Sequence, residues 1–240
     1  MIGGDSYNVA RAPRAEPPIA SLCLTAAITA CGLALAATVA LSFPAVPLIL
    51  FGAIIALAVR GLRQSYPHQV LGFCNIVTLF RAALVAFLAG AVFDPTVAVW
   101  LVFWIATLAF ALDGLDGWLA RRSGLTSPFG ARFDMETDAL LGAVLALWLL
   151  AMGRTGPEIL VLGFMRYAFC AAATVLPALR AELPQSLRRK TVCVVQVAAL
   201  IAILCPLTPA SAVLPVSFCA ALLLSWSFAV DIRWLIRRSQ

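Results

Sequence analysis

Residues 96–119 read TVAVWLVFWIATLAFALDGLDGWL, an apolar run whose only charges, Asp113 and Asp116, sit near one end. At 1.5 Å per residue a helix of this length is about 36 Å long, enough to cross a bilayer core of about 30 Å. Similar runs flank it at about 70 to 93 and 130 to 151. Others lie at about 19 to 41 and 44 to 59 before these, and at 157 to 179, 191 to 206 and 211 to 231 after them. Eight helices are therefore expected. The second, holding Pro44 and Pro47, reads as short and proline-interrupted. The first follows Arg11 and Arg14 as a signal peptide's core would, but its 23 apolar residues exceed the about 7 to 15 of a cleavable segment. It reads as a retained span.

Composition agrees with this reading. Of 240 residues, 63% are hydrophobic and 12% charged, with a mean hydropathy of +1.00. Soluble domains carry about 25% charged residues, so this chain lacks the polar surface to cover a soluble globule. The fold expected is an all-α polytopic membrane protein. The seven cysteines have no CxxC spacing and lie mainly in apolar runs, as packing residues rather than a disulfide framework or zinc site.

The basic residues, sixteen Arg and one Lys, determine the orientation. Fourteen of the seventeen fall in the N-terminal segment, the second, fourth and sixth connections and the C-terminal tail, which in an eight-span chain all share one side. The positive-inside rule makes that side the cytoplasm, with both termini there. Scattered beside apolar segments, these charges form no stripe for a phosphate backbone, and a nucleic-acid partner is excluded. The Arg-rich, Ala-rich composition suits a bacterial inner membrane.

Five of the eleven acids, Asp113, Asp116, Asp134, Glu136 and Asp138, fall within 26 residues. Acids at membrane depth are costly unless paired, metal-bound or hydrated, which makes them functional candidates. On a helix, Asp113, Asp116, Gly117, Ala120 and Arg121 share one stripe at the cytoplasmic end of the fourth run. Asp134 and Asp138, four residues apart, share a face of the next helix, and Glu136 is turned away from it. Four carboxylates from two antiparallel helix ends make an oxygen-rich pocket for Mg²⁺, Mn²⁺ or Ca²⁺. Two such ions balance four acids and can clamp a diphosphate. The small residues leave room for a nucleotide, and Arg121 can meet phosphate oxygens.

The spacing Asp113-x2-Asp116-Gly117-x2-Ala120-Arg121-x8-Gly130-x3-Asp134-x3-Asp138 resembles the CDP-alcohol phosphotransferase signature at all fixed positions. Chance agreement at eight positions is roughly one in 10^10 per start. The resemblance implies transfer of a phosphatidyl or other substituted phosphoryl group from a CDP-linked donor, such as CDP-diacylglycerol, to an alcohol, with release of CMP. It implies that Asp113, Asp116 and Asp134 hold two Mg²⁺ or Mn²⁺ ions. Asp138 would act as general base and is also counted among the metal ligands. Gly117, Ala120, Arg121 and Gly130 would bind the nucleotide donor. Asn75, Thr78 and Arg81 are similar to an N-x2-T-x2-R element beside the nucleotide, of which Asn75 and Thr78 are counted as donor-binding. Cys74 replaces the Pro found before the Asn in many members. A homodimer is expected by resemblance alone. The family's six-helix catalytic core would occupy 67–240, and residues 1–66 would add a tail and two extra helices.

The acceptor is less legible. Arg166, Arg188, Arg189 and Lys190 suggest a phosphorylated polyol such as glycerol 3-phosphate or inositol phosphate, with serine, choline or inositol as neutral alternatives. Positive-inside anchoring also explains the cluster at 188–190, whereas Arg166 lies about 13 Å inside its helix and needs a partner or cavity. The rival class is a divalent-cation transporter. Two features oppose it: the acids are at helix ends rather than midplane, and no inverted repeat is visible.

Overall fold

The computed structural model describes residues 17–123, 126–181, 183 and 186–239, with side chains throughout except at 116–121, 123 and 239. Among the described residues the chain is all-helical. Its α-helices are α1 (Ile19–Ala40), α2 (Ala45–Ser65), α3 (Phe73–Ala91), α4 (Val99–Ser123), α5 (Pro128–Ala151), α6 (Leu160–Val175), α7 (Leu187–Leu204) and α8 (Ala210–Ser239). Short 3₁₀ turns cover Pro157–Ile159 and Pro177–Arg180.

Among the described residues five helices are long and apolar enough to cross a membrane: α1, α2, α3, α6 with its preceding turn, and α8. In α4 the described apolar part covers Val99–Leu115, and α5 and α7 each carry charge at one end. Arg132, Asp134, Glu136 and Asp138 fall in the first half of α5, and Arg188, Arg189 and Lys190 fall in the first turn of α7. The chain is an integral membrane protein with several apolar helices, and charge is concentrated at the ends of the remaining three.

Helix α3 is the axis of the bundle. Fifteen of its nineteen residues are buried, and it packs against α1, α2, α4 and α5. By contrast α1 buries only Leu22, Ala26, Leu33 and Ala37, and α2 only Pro47, Phe51, Ala58 and Leu62. Both stripes follow the same four-seven-four spacing, a narrow seam along one side of each helix. The rest of each helix is apolar and outward-facing, with Leu35 70%, Val39 81% and Ile49 72% exposed. Such surface belongs against lipid.

Two glycines permit close crossings. A Cβ on Gly90 of α3 would lie 2.8 Å from Leu41 Cδ1 and 2.9 Å from Pro47 Cδ, so the α1–α2 corner seats on this position. A Cβ on Gly163 of α6 would lie 2.6 Å from Ala146 Cβ and 3.1 Å from Ala143 Cα, so α5 and α6 approach backbone to backbone. At the same membrane face as the α1–α2 corner, buried Asp94 accepts from Ser42 N at 2.6 Å, Thr96 N at 3.0 Å and Thr96 Oγ1 at 2.6 Å. One carboxylate thus ties the α1–α2 turn to the α3–α4 turn.

Several helix ends differ from expectation, among them those of α2, α6 and α8. Prolines do not interrupt α2: Pro44 is its N-cap and Pro47 lies in the first turn, where an absent N–H breaks no helical bond. The helix also runs past 59 to Ser65, with Arg63 in the last turn, where a cation favours the helix dipole. Helix α6 stops at Val175 instead of 179 because Pro177 disfavours helical geometry before it. Helix α8 continues beyond 231 to Ser239; its 30 residues make about 45 Å, longer than the hydrocarbon core.

Candidate active site

The site forms where the N-terminal end of α3, the C-terminal end of α4 and the N-terminal end of α5 meet. At the start of α5, Ser127 is the N-cap, its Oγ accepting from Gly130 N at 3.0 Å, and Pro128 occupies the first helical position. Both residues suit a helix start, since Ser satisfies a free N–H and Pro presets φ. The cap fixes the register of α5. Asp134 and Asp138 then sit about two and about three turns in from the end, on the face toward α3 and α4.

Arg81 of α3 joins the three helices. Its side chain is 1% exposed, yet it ends among carboxylates: Nη1 lies 3.2 Å from Asp113 Oδ1 and 2.6 Å from Asp134 Oδ1, and Nη2 donates to Asp138 Oδ1. Its Nε donates to the Ala109 carbonyl of α4 at 3.1 Å. The acids are more open, with side chains 25%, 36% and 35% exposed for Asp113, Asp134 and Asp138. The arrangement is a buried cation behind a partly accessible acidic surface. Three carboxylates against one guanidinium leave a formal charge of −2.

One carboxylate oxygen from each of Asp113, Asp134 and Asp138 lies within 4.8 Å of the others. On one Mg²⁺ adjacent oxygens are about 2.9 Å apart and opposite ones about 4.2 Å. The all-oxygen donor set and its net charge suit a hard divalent cation, and the three acids would have to close to those distances to share a single ion. Among the described residues this is the group of acids able to hold a metal ion. The side chains of Asp116, Gly117, Ala120 and Arg121 lie outside the described residues, although their backbone continues α4.

Of the remaining donor-binding candidates, Asn75 and Gly130 meet at the α3–α5 contact. Asn75 and Thr78 are buried at 2% and 3% exposure. Thr78 Oγ1 donates to Cys74 O at 3.0 Å, and Asn75 Nδ2 donates to Tyr66 Oη at 3.3 Å. A Cβ on Gly130 would meet Asn75 Oδ1 at 3.0 Å and Ser127 Oγ at 3.2 Å, so glycine here lets α5 close on α3. Tyr66 is a residue that sequence reasoning missed. Its hydroxyl accepts from Gly72 N at 3.1 Å and donates to Val70 O at 2.8 Å, while its ring packs edge-on to Phe129. Arg81 was named only as a motif residue, and its contact with the acids was not read. His68 Nε2 lies 3.2 Å from Thr126 O, on the α4–α5 connection.

The acceptor candidates are dispersed. Arg166 of α6 pairs with Glu136, the acid that the helical wheel turned away from the others, and its Nη1 contacts Met135 Sδ at 2.9 Å. Its Nε is buried without a hydrogen-bond partner. Arg188 donates to Ser227 O at 2.6 Å, to Ser227 Oγ at 2.5 Å and to Asp231, and Arg189 lies 4.0 Å from the same aspartate. These bonds join α7 to α8. Lys190 is exposed. Arg180 donates to Ala173 O at 2.9 Å and Thr174 O at 2.6 Å, capping the last turn of α6.

An acidic surface backed by a buried arginine lies at one end of an apolar helix bundle, where it can hold a divalent cation in a membrane protein. Residues 71–230 match the family model described as CDP-alcohol phosphatidyltransferase, and the chain belongs to that family. The match covers two thirds of the 240 residues, from Leu71 before α3 to Val230 in α8. It sets the chain among transferases of phospholipid synthesis and not among cation transporters. The aspartate cluster is consistent with the divalent-metal binding typical of that family.

Proposed function

We propose that the enzyme transfers a phosphatidyl group from CDP-diacylglycerol to a small alcohol at the cytoplasmic face of the membrane, most consistently to a phosphorylated polyol. The observation that carries this reading is the convergence of Asp113, Asp134 and Asp138 from α4 and α5 on the buried Arg81. In the reaction, the acceptor oxygen forms a bond to the phosphorus bearing diacylglycerol. The P–O bond to the CMP leaving group breaks. Asp138 takes the acceptor proton.

Asp113, Asp116 and Asp134, with Asp138 beside them, would hold two Mg²⁺ or Mn²⁺ ions. When bound, these neutralise the diphosphate and stabilise the charge on the departing CMP oxygen. Gly117, Ala120, Arg121, Gly130, Asn75 and Thr78 form the donor's nucleotide side. Arg81 is a positioning residue that keeps three acids convergent and offsets their repulsion.

For the acceptor, Arg166 is the candidate with a buried donor still without a partner. Arg188 is committed to Ser227 and Asp231 and contributes less.

The catalytic domain is read as 67–240, with 1–66 adding the tail and two accessory helices. That division is supported by the start of the family match at Leu71 and by the narrow seams of α1 and α2. Eight spans with both termini cytoplasmic, a bacterial inner membrane and a homodimer complete the reading. The test is to offer CDP-diacylglycerol with glycerol 3-phosphate, inositol phosphate, inositol, serine and choline together, and to chromatograph the lipid formed. A new phosphodiester lipid names the acceptor; its absence in folded, metal-loaded protein overturns the reading.

A further inference from the structure

The connection from α2 to α3 runs beside the start of α5. Tyr66 is the C-cap of α2, its N–H donating to Leu62 O at 3.2 Å, and it lies ahead of Leu71, where the family match begins. This segment is seated on the α4–α5 turn. A Cβ on Gly61 would lie 3.1 Å from Phe129 Cδ2, the Tyr66 and Phe129 rings meet edge-on with centroids 5.8 Å apart, and His68 Nε2 lies 3.2 Å from Thr126 O. Accessory helix α2 therefore abuts the helix end that carries Asp134 and Asp138.

The Tyr66 hydroxyl is buried and fully used. Its single proton goes to Val70 O at 2.8 Å, and its oxygen accepts from Gly72 N at 3.1 Å and from Asn75 Nδ2 at 3.3 Å. With the proton committed to a backbone carbonyl, the phenol meets Asn75 only as an acceptor, so the amide must present its NH₂ group. Turned by 180°, the amide would set Oδ1 against an oxygen with no proton left, and two buried acceptors would face each other. The hydroxyl therefore decides which end of Asn75 points the other way. That end is Oδ1, 3.0 Å from where a Cβ on Gly130 would lie.

We propose that Tyr66 is a positioning residue for the site of transfer. It holds the Asn75 amide in one orientation, and through Asn75 it sets how the start of α5, at Gly130, closes on α3. The proposal rests on the reading of Asn75 and Gly130 as part of the donor's nucleotide side. Tyr66 touches no substrate, and Asn75 is itself 2% exposed, so the effect reaches the donor through the seat of Gly130. Accessory helix α2 is in this way a working part of the catalytic unit, although it lies outside the matched residues.

The test is binding of CDP-diacylglycerol, with Mg²⁺, to the full chain in detergent, followed by calorimetry. Tyr66→Phe keeps the ring and its contact with Phe129 and removes only the hydroxyl. It is expected to weaken donor binding about tenfold, as is Asn75→Ala. The double variant is expected to be about tenfold weaker than wild type and not about a hundredfold, because one residue acts through the other. A purely structural role would lower the fraction of protein that binds without changing Kd. Asn75→Asp reaches the same contact without altering Tyr66: it keeps size and Oδ1 but has no NH₂ group for the phenol, and it too should weaken binding about tenfold. Weakening by Asn75→Ala with Tyr66→Phe within about twofold of wild type overturns the proposal and leaves the donor reading standing. A donor Kd unchanged in Asn75→Ala overturns the donor reading and the proposal together. Additive losses in the double variant, or unchanged binding in Asn75→Asp, also overturn positioning through the amide.

Discussion

Arg81 Nη1 lies 2.6 Å from Asp134 Oδ1, so that a cation 1% exposed on α3 holds an acid 36% exposed on α5. The same guanidinium reaches Asp113 and Asp138. Without it, three acids of like charge would face one another across two helix ends. Removal of Arg81 to Ala is expected to lower stability by about 3 kcal/mol, the low end of the range for breaking a buried pair because the acids are partly hydrated. CMP release should fall by at least about 100-fold. Arg81→Lys should rescue little, since an ammonium cannot span the same three carboxylates. Thermal unfolding in detergent and turnover measured on the same samples check both statements.

Gly130 offers a steric test of the α3–α5 contact. Gly130→Ala puts a methyl group 3.0 Å from Asn75 Oδ1 and 3.2 Å from Ser127 Oγ. It is expected to cost about 1–3 kcal/mol through overpacking. In a double-mutant cycle Asn75→Ala should relieve a measurable part of that cost, because the two positions are in contact. Strict additivity in unfolding measurements would separate them.

Asp138→Asn should retain donor binding and lose turnover. The amide fills the same space but cannot take the acceptor proton. Binding of CDP-diacylglycerol by the variant, followed by filtration or calorimetry, is expected to stay within about threefold of wild type while CMP release drops by at least about 100-fold. Near-normal release would remove Asp138 from the role of base.

Asp94 predicts a pH dependence away from the site. Hydrogen bonds from the Thr96 side chain and from Ser42 hold its carboxyl well below the usual carboxylate range. A depressed acid contributes stability that is complete above its ordinary value of about 4 and is lost as pH falls toward the folded value. The unfolding temperature of wild type should therefore decline below about pH 4. Asp94→Asn should start lower and lose this part of the slope.

The acceptor reading rests on Arg166. Arg166→Gln is expected to raise the apparent KM for a phosphorylated acceptor about tenfold or more while changing the donor KM by less than about twofold. Glu136→Gln, which frees the guanidinium from its ion pair, should not raise the acceptor KM. An unchanged acceptor KM in Arg166→Gln assigns the residue to the α5–α6 contact alone.

The eight helices were legible because each apolar run is long and bounded by Pro, Gly or charge. Asp134 and Asp138 were legible as one face because four residues nearly complete a turn. What bound them was not. A helical wheel gives the angle of Arg81 on α3 but not which neighbour it meets, and its partners are 32 to 57 residues away in the chain. The same limit hid the pairing of Arg188 with Asp231 and the role of Tyr66, whose hydroxyl becomes meaningful only once Gly72 and Asn75 are brought to it. The interruption expected in α2 and the end expected for α6 were misjudged because a proline was weighed without its position, and the end of α2 because Arg60 and Arg63 were read as a connection rather than as the last turns of the helix.

The most direct test of the central claim is CMP release by the purified chain supplied with CDP-diacylglycerol, each acceptor in turn, and Mg²⁺ or Mn²⁺, beside the Asp138→Asn protein. The account predicts release with one acceptor, abolished by a chelator and absent in the variant. Release that persists without a divalent cation, or no release with any acceptor from folded protein that binds the donor, would contradict it.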